Sequence, residues 1–215
     1  MRMGLFLLIP ILFFAVASAA QDLKSIQLPQ PDTAGGKPLM QALKDRCSSR
    51  DFSADTIPLP VLSNLLWSAC GVNRAESGKR TAPSAMNWQE IDVYVATAHG
   101  LYRYESQSHT LQQVLTEDIR GKTGSQPFVK DVPINLVYVA DYAKVTRGSE
   151  EDRTLYSAAD AGFISQNVYL FCASEELATV VRGSVDRTAL GIAMKLRPNQ
   201  KVILAQSVGY PKQKD

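Results

Sequence analysis

The stretch Ile91-Asp92-Val93-Tyr94-Val95-Ala96, followed by His99-Gly100 and then by Leu101-Tyr102-Arg103-Tyr104, decides how this chain folds. Alternation of this kind predicts a strand, and the His-Gly pair marks a reversal into a second strand. Thr110 to Leu115 has the same character, so a meander of antiparallel strands is expected here. Further on, Ile134 to Ala140 is apolar without alternation, the mark of a strand covered on both faces and therefore central in its sheet.

Beyond that strand, Ser149 with Asp152 resembles a capping box and opens a long helix expected to run to about Ala173. Between Arg153 and Glu175 its only charge is Asp160, while Ala158, Ala159, Ala161, Gly162 and Ser165 keep one side small. Such a helix is expected to be buried nearly all round, in a domain core or a subunit interface. Gln166 and Asn167 at its centre, and the shortness of the apolar stretch, argue against a membrane span. A short strand around Thr179-Val180-Val181, a helix from Asp186 to about Leu196 and a strand from Val202 to Val208 are expected to finish the chain.

Upstream of the meander, Pro58 and Pro60 open a helix whose Val61, Leu62, Leu65, Leu66 and Ala69 share one face, with Gly71 as its stop. A shorter helix is expected from Leu39 to about Ser48, with Lys44, Arg46 and Cys47 in its last turn. Asn73 to Asn87 has no apolar period and reads as a long loop. The order of elements predicts one α+β domain over residues 38–215, with helices covering a mainly antiparallel sheet. Residues 21–37, with Pro29, Pro31, Gly35 and Gly36, read as an extended arm. Arg2, the apolar run from Leu5 to Val16 and the small residues Ala17-Ser18-Ala19-Ala20 read as a secretory signal peptide over residues 1–20. The expectation is therefore an exported protein, periplasmic or secreted, without a stable membrane anchor.

Composition narrows the function. Of 215 residues 45% are hydrophobic and 20% charged, which is globular, and 23 Lys and Arg against 21 Asp and Glu leave no basic field for nucleic acid. Gly78-Lys79-Arg80-Thr81 is not a phosphate loop, because Gly71 is too far back and Arg80 separates the lysine from the hydroxyl. No G-x-G-x-x-G follows a strand, and there is no G-x-S-x-G elbow. His99 and His109 fall on the hairpins, where they are expected to be solvated turn residues, and no metal is expected. Cys70 and Cys172 are expected to be buried thiols; Cys47 is assigned no chemistry.

Three segments do not read as plain core. Arg46-Cys47-Ser48-Ser49-Arg50 sets two guanidinium groups four residues apart with a hydroxyl between them, an arrangement suited to a phosphate. Pro83-Ser84-Ala85-Met86-Asn87-Trp88-Gln89 offers a hydroxyl and two amides ahead of a strand. Val181-Arg182-Gly183 puts a glycine just after a strand, where backbone can approach a flat ligand. In this order they resemble the nitroreductase family of FMN-dependent oxidoreductases, over nearly the whole chain from Pro38 to Pro211. The run Gly78 to Ala85 and the ending Val208-Gly209-Tyr210-Pro211 are similar to the short branch grouped with SagB-type dehydrogenases.

That resemblance implies a nitroreductase-like homodimer with FMN in a cleft between the subunits. It implies that Arg46, Ser48 and Arg50 hold the phosphate and ribityl chain, and that Pro83, Ser84, Ala85 and Asn87 lie against the isoalloxazine. It further implies that the Gly183 N–H faces flavin N5 and that Lys212 and Lys214 add phosphate contacts. Arg182 is a departure, since many relatives carry an acid there; a cation beside the flavin would favour its anionic reduced form. The implied activity is hydride transfer through N5 between a reduced donor, NAD(P)H among them, and an electron-poor acceptor such as a nitroaromatic or quinone. Oxidation of a heterocyclic substrate in the SagB manner, or non-catalytic binding of flavin or another ligand in the periplasm, are the alternatives.

Overall fold

A computed structural model describes residues 23–213. The expected signal peptide and Lys214 lie outside them.

The meander forms where the alternation put it: β4 is Ile91–Thr97, β5 Gly100–Glu105 and β6 Thr110–Leu115. β7, Ile134–Asp141, is buried at every residue and is an interior strand, paired on both sides, of a seven-stranded sheet of order β1-β6-β5-β4-β7-β9-β8. β8 is Ala178–Arg182 and β9 is Gln200–Gly209, and each neighbouring pair in the sheet is antiparallel. Period-2 geometry sends alternate residues to opposite cores. Ile91, Val93 and Val95 pack under two helices, α2 (Leu59–Cys70) and α3 (Glu150–Ser174). Tyr94 and Ala96 pack on the other side with Leu190 and Met194, at and just beyond α4 (Arg187–Ala193).

Four expectations change. The arm is part of the sheet, because its Ser25–Gln27 forms β1 on β6 and Leu28 is buried. The helix α1 is Leu39–Asp45 and stops short of Arg46, because the next segment leaves the helix to run beside β8, Ser49 N–H donating to Thr179 O at 2.9 Å. The presumed loop from Asn73 carries a small hairpin, β2 (Val72–Arg74) with β3 (Lys79–Arg80). His109 is not a solvated turn residue. Its Nε2 lies 2.7 Å from Ser63 Oγ and 2.9 Å from Pro29 O, its Nδ1 lies 2.8 Å from Tyr104 OH, and burial lowers its pKa. It ties the arm to α2 and the meander.

The long helix opens on the expected capping box, with Asp152 N–H donating to Ser149 Oγ at 3.1 Å and Ser149 N–H to Asp152 Oδ2 at 2.9 Å. It is not covered all round by its own chain. Ser157, Asp160, Ile164, Val168 and Cys172 face inward, but Leu155 is 62% and Phe163 47% exposed, since a single chain covers only the side turned to the sheet. Leu39, Met40 and Leu43 of α1 are likewise exposed. Among the described residues no helix is long and apolar enough to cross a membrane.

Candidate active site

Arg46, Ser48 and Gly183 come together around a residue the sequence reading did not single out, Tyr169. Its hydroxyl accepts the backbone N–H of Val181 at 2.9 Å and lies 2.7 Å from Ser48 Oγ. The Arg46 guanidinium sits over its ring at 5.4 Å. One buried phenol on α3 therefore fixes the segment after α1 against the end of β8, two residues before Gly183. Gly183 is exposed, and a Cβ built there would have nothing within 4 Å, so the backbone faces open space that a flat group could enter.

Arg50 and Lys212 also meet. They line a cleft of about 240 Å³ with Phe52, Phe128, Asp51 and Asp131, and the Lys212 N–H donates to Asp51 O at 3.2 Å. The chain end is held there by pairing of Phe52 with Pro211.

The Arg182 side chain does not join this cluster, which corrects the expectation of a cation beside a flavin. Strand parity sends it to the α4 side of the sheet, where it is buried, donating to Thr123 O at 2.7 Å and Asn135 Oδ1 at 2.9 Å. Among the described residues it has no carboxylate partner, and burial pulls its pKa down to about 10. Gly124 lets it in, because a Cβ at that position would collide with Nη1. The same loop is tied to the segment after β8 by Ser125 Oγ and Ser184 Oγ, 2.8 Å apart. Arg182 thus braces the backbone leading into Gly183 from behind.

Pro83, Ser84, Ala85 and Asn87 form a second cluster, against the middle of α3 at Asp160. Their turn is tight, with Met86, Asn87 and Gln89 in the left-handed region at φ of 53°, 55° and 49°. Non-glycine residues hold that conformation only when their surroundings enforce it, and such positions gather at functional sites. The enforcement is visible. Asp160, the lone charge on the apolar helix, accepts the Ala85 N–H through Oδ2 at 2.9 Å, and Ser84 Oγ accepts the Gln89 N–H at 2.8 Å. Gln89 Nε2 donates to Asn87 Oδ1 at 3.2 Å, which leaves the Asn87 amide to offer its N–H groups outward. Beneath the turn Glu90 is fully buried, with Ser84 Oγ 3.4 Å from its Oε2. Burial raises the pKa of both carboxyls, and the charge of Asp160 raises that of Glu90 further.

The two clusters rest on α3 at Asp160 and Tyr169, about 13 Å apart along the helix axis. Asp160 could have been suspected from its isolation in an apolar helix; Tyr169 and Glu90 gave no such signal. Among the described residues no group of His, Cys, Asp and Glu could hold a metal.

Comparison with known proteins bears on this arrangement. The model of the nitroreductase family matches residues 43–210. A Methanocaldococcus jannaschii protein named for the nitroreductases is 30% identical over 173 residues, which cover 76% of this chain and 85% of the other. A Ralstonia eutropha crystal structure, also named for the nitroreductases, is 43% identical with a TM-score of 0.85, covering 88% of this chain and 90% of that one. A Desulfovibrio desulfuricans structure described as a nitroreductase in complex with FMN has a TM-score of 0.60 at 20% identity, over 82% of this chain and 88% of that one, a likeness of fold alone.

Proposed function

Since this chain belongs to the nitroreductase family and is an oxidoreductase, we propose that it works with FMN, as a homodimer, moving hydride between a reduced donor such as NAD(P)H and an electron-poor acceptor such as a nitroaromatic or quinone. When bound, FMN supplies two-electron chemistry at N5. The chain's own residues fit that group. Arg46 and Arg50 flank the Ser48 hydroxyl at a spacing suited to a dianionic phosphate, with Lys212 beside Arg50 as a further cation. Gly183 offers backbone without a side chain in front of it, and Asn87 offers amide N–H groups to a polar ring edge. In this reading the residues bind, orient and exclude water, and no side chain has to act as acid or base.

The observation that carries the reading is the Tyr169 junction, which joins the proposed phosphate-binding segment to β8, the strand that leads into Gly183. Dimerisation is supported by the exposed apolar side chains Leu155 and Phe163 of α3 and Leu39, Met40 and Leu43 of α1, which a second copy would cover. Export through the residue 1–20 segment belongs to the same proposal, with FMN taken up after translocation. The SagB-type alternative rests on the run Gly78 to Ala85 and predicts that a heterocyclic substrate, rather than a nicotinamide, reduces the flavin.

The test is a visible spectrum of purified protein followed by anaerobic addition of NADH, NADPH and dithionite. Yellow protein bleached by a nicotinamide supports the reading. Protein that stays colourless after incubation with FMN overturns it.

A further inference from the structure

We propose that the β2–β3 hairpin is an anion-recognition subsite for the reacting substrate, formed by Arg74, Lys79 and Arg80 beside Asn87 and Gln89. The proposal rests on the FMN reading for its position next to the ring and on the hairpin itself for its chemistry. Gly78-Lys79-Arg80-Thr81 fails as a phosphate loop, yet the fold gives it a place. The hairpin lays Arg74, Lys79 and Arg80 along a cleft of about 220 Å³ whose other wall is the Pro83–Gln89 turn. No carboxylate lines that cleft, and among the described residues none of the three cations makes an ion pair.

The cations are also held in place. Arg74 is anchored by Nη2 donating to Arg80 O at 2.6 Å and Nε donating to Asn73 Oδ1 at 3.0 Å. Arg80 is partly buried, and its Nε is buried without a hydrogen-bond partner. The acid lining the adjoining narrow cleft is Asp160, already engaged with the Ala85 N–H, while Glu90 lies buried beneath the turn against Ser84. Three cations gathered beside the Asn87 amide, whose N–H groups are left outward by the Gln89 contact to its oxygen, and with no acid of their own, fit a carboxylate or phosphate. Arg46 and Ser48 meet α3 at Tyr169, nine residues beyond the Asp160 contact of this turn, and Arg50 lines a different cleft with Lys212, so this second basic group is separate from the proposed phosphate site. Its ligand is the anionic group of the molecule that exchanges hydride beside the Pro83–Asn87 turn, either the carboxylate of an aromatic acceptor or the phosphate of a nucleotide donor.

The experiment compares FMN-loaded wild type with Lys79→Ala, Lys79→Glu and Arg74→Gln, using 4-nitrobenzoate and its neutral counterpart 4-nitrobenzyl alcohol in calorimetry. Both mutated side chains are exposed, and thermal melting checks that the variants stay folded. The expected result is about tenfold weaker nitrobenzoate binding in Lys79→Ala, a larger loss in Lys79→Glu, and unchanged affinity for the alcohol. A donor source shows instead as a fall in the kcat/KM preference for NADPH over NADH in the variants, with nitrobenzoate binding unchanged. Unchanged nitrobenzoate binding together with an unchanged donor preference overturns the proposal, and so does equal loss of both probes. A separate FMN titration distinguishes the two layers. If wild type binds no FMN, the cofactor reading fails, while nitrobenzoate binding to the same protein still tests the hairpin. If the variants lose FMN in step with nitrobenzoate, the hairpin serves the cofactor phosphate and the subsite is refuted.

Discussion

The carboxylate of Asp160 accepts the backbone N–H of Ala85 at 2.9 Å, so a single acid in the middle of an apolar helix holds the turn proposed to lie against the flavin. Replacing it with alanine leaves a backbone donor without its partner. Asp160→Ala should therefore lose about 1–3 kcal/mol of stability. Asp160→Asn, which keeps an acceptor and removes a charge beside Glu90, should lose much less. Urea unfolding of the two variants checks this; equal losses would show that the Ala85 contact is not what matters.

Glu90 makes the pH dependence specific. Its folded pKa is raised above the ordinary 4.5, chiefly by burial. The neutral form is therefore favoured in the folded state. That contribution is complete below 4.5 and is lost as pH rises through the folded value. Glu90→Gln keeps the neutral form at every pH, so it should gain on wild type as pH climbs from acid towards neutrality. Urea midpoints measured across that range test it, and parallel curves for the two proteins would contradict it.

How much of this was legible beforehand depends on how local the cause is. The meander, the central β7 and the Ser149 capping box are written in adjacent residues and appear where the pattern put them. β1 carries no period of its own and exists because the edge of β6 accepts it. The early end of α1 is imposed by Thr179, far along the chain. Arg182 follows from parity: Val180 and Arg182 share one side of β8, and that side faces away from α3. The site was legible as three segments but not as an assembly, since an aromatic on an apolar helix reads as core and nothing in the sequence says that the Tyr169 hydroxyl meets Val181 and Ser48.

That junction carries its own prediction. Tyr169→Phe removes the acceptor of the Val181 N–H and the partner of Ser48, while keeping the ring under Arg46. The loss should be about 1–3 kcal/mol in stability, with FMN affinity falling in the same variant. Ser48→Ala, which spares the Val181 contact, should cost less stability. Thermal melts and flavin fluorescence titrations measure both, and a Tyr169→Phe protein that melts and binds like wild type would contradict the role.

Gly124→Ala should destabilise the chain by about 1–3 kcal/mol, because the added methyl collides with the buried Arg182 guanidinium and neither Thr123 nor Asn135 can release it without losing a hydrogen bond. Chemical unfolding reads this directly. A neutral substitution would mean that Arg182 is free to move and does not brace the segment before Gly183.

The most direct measurement is a titration of FMN into the purified protein, followed by quenching of flavin fluorescence together with the mass of the complex in solution. The account predicts saturation at one FMN per chain in a particle of two chains, with binding weakened by Arg46→Ala and by Ser48→Ala. Fluorescence that never saturates, or a complex that stays a single chain at full occupancy, would contradict it.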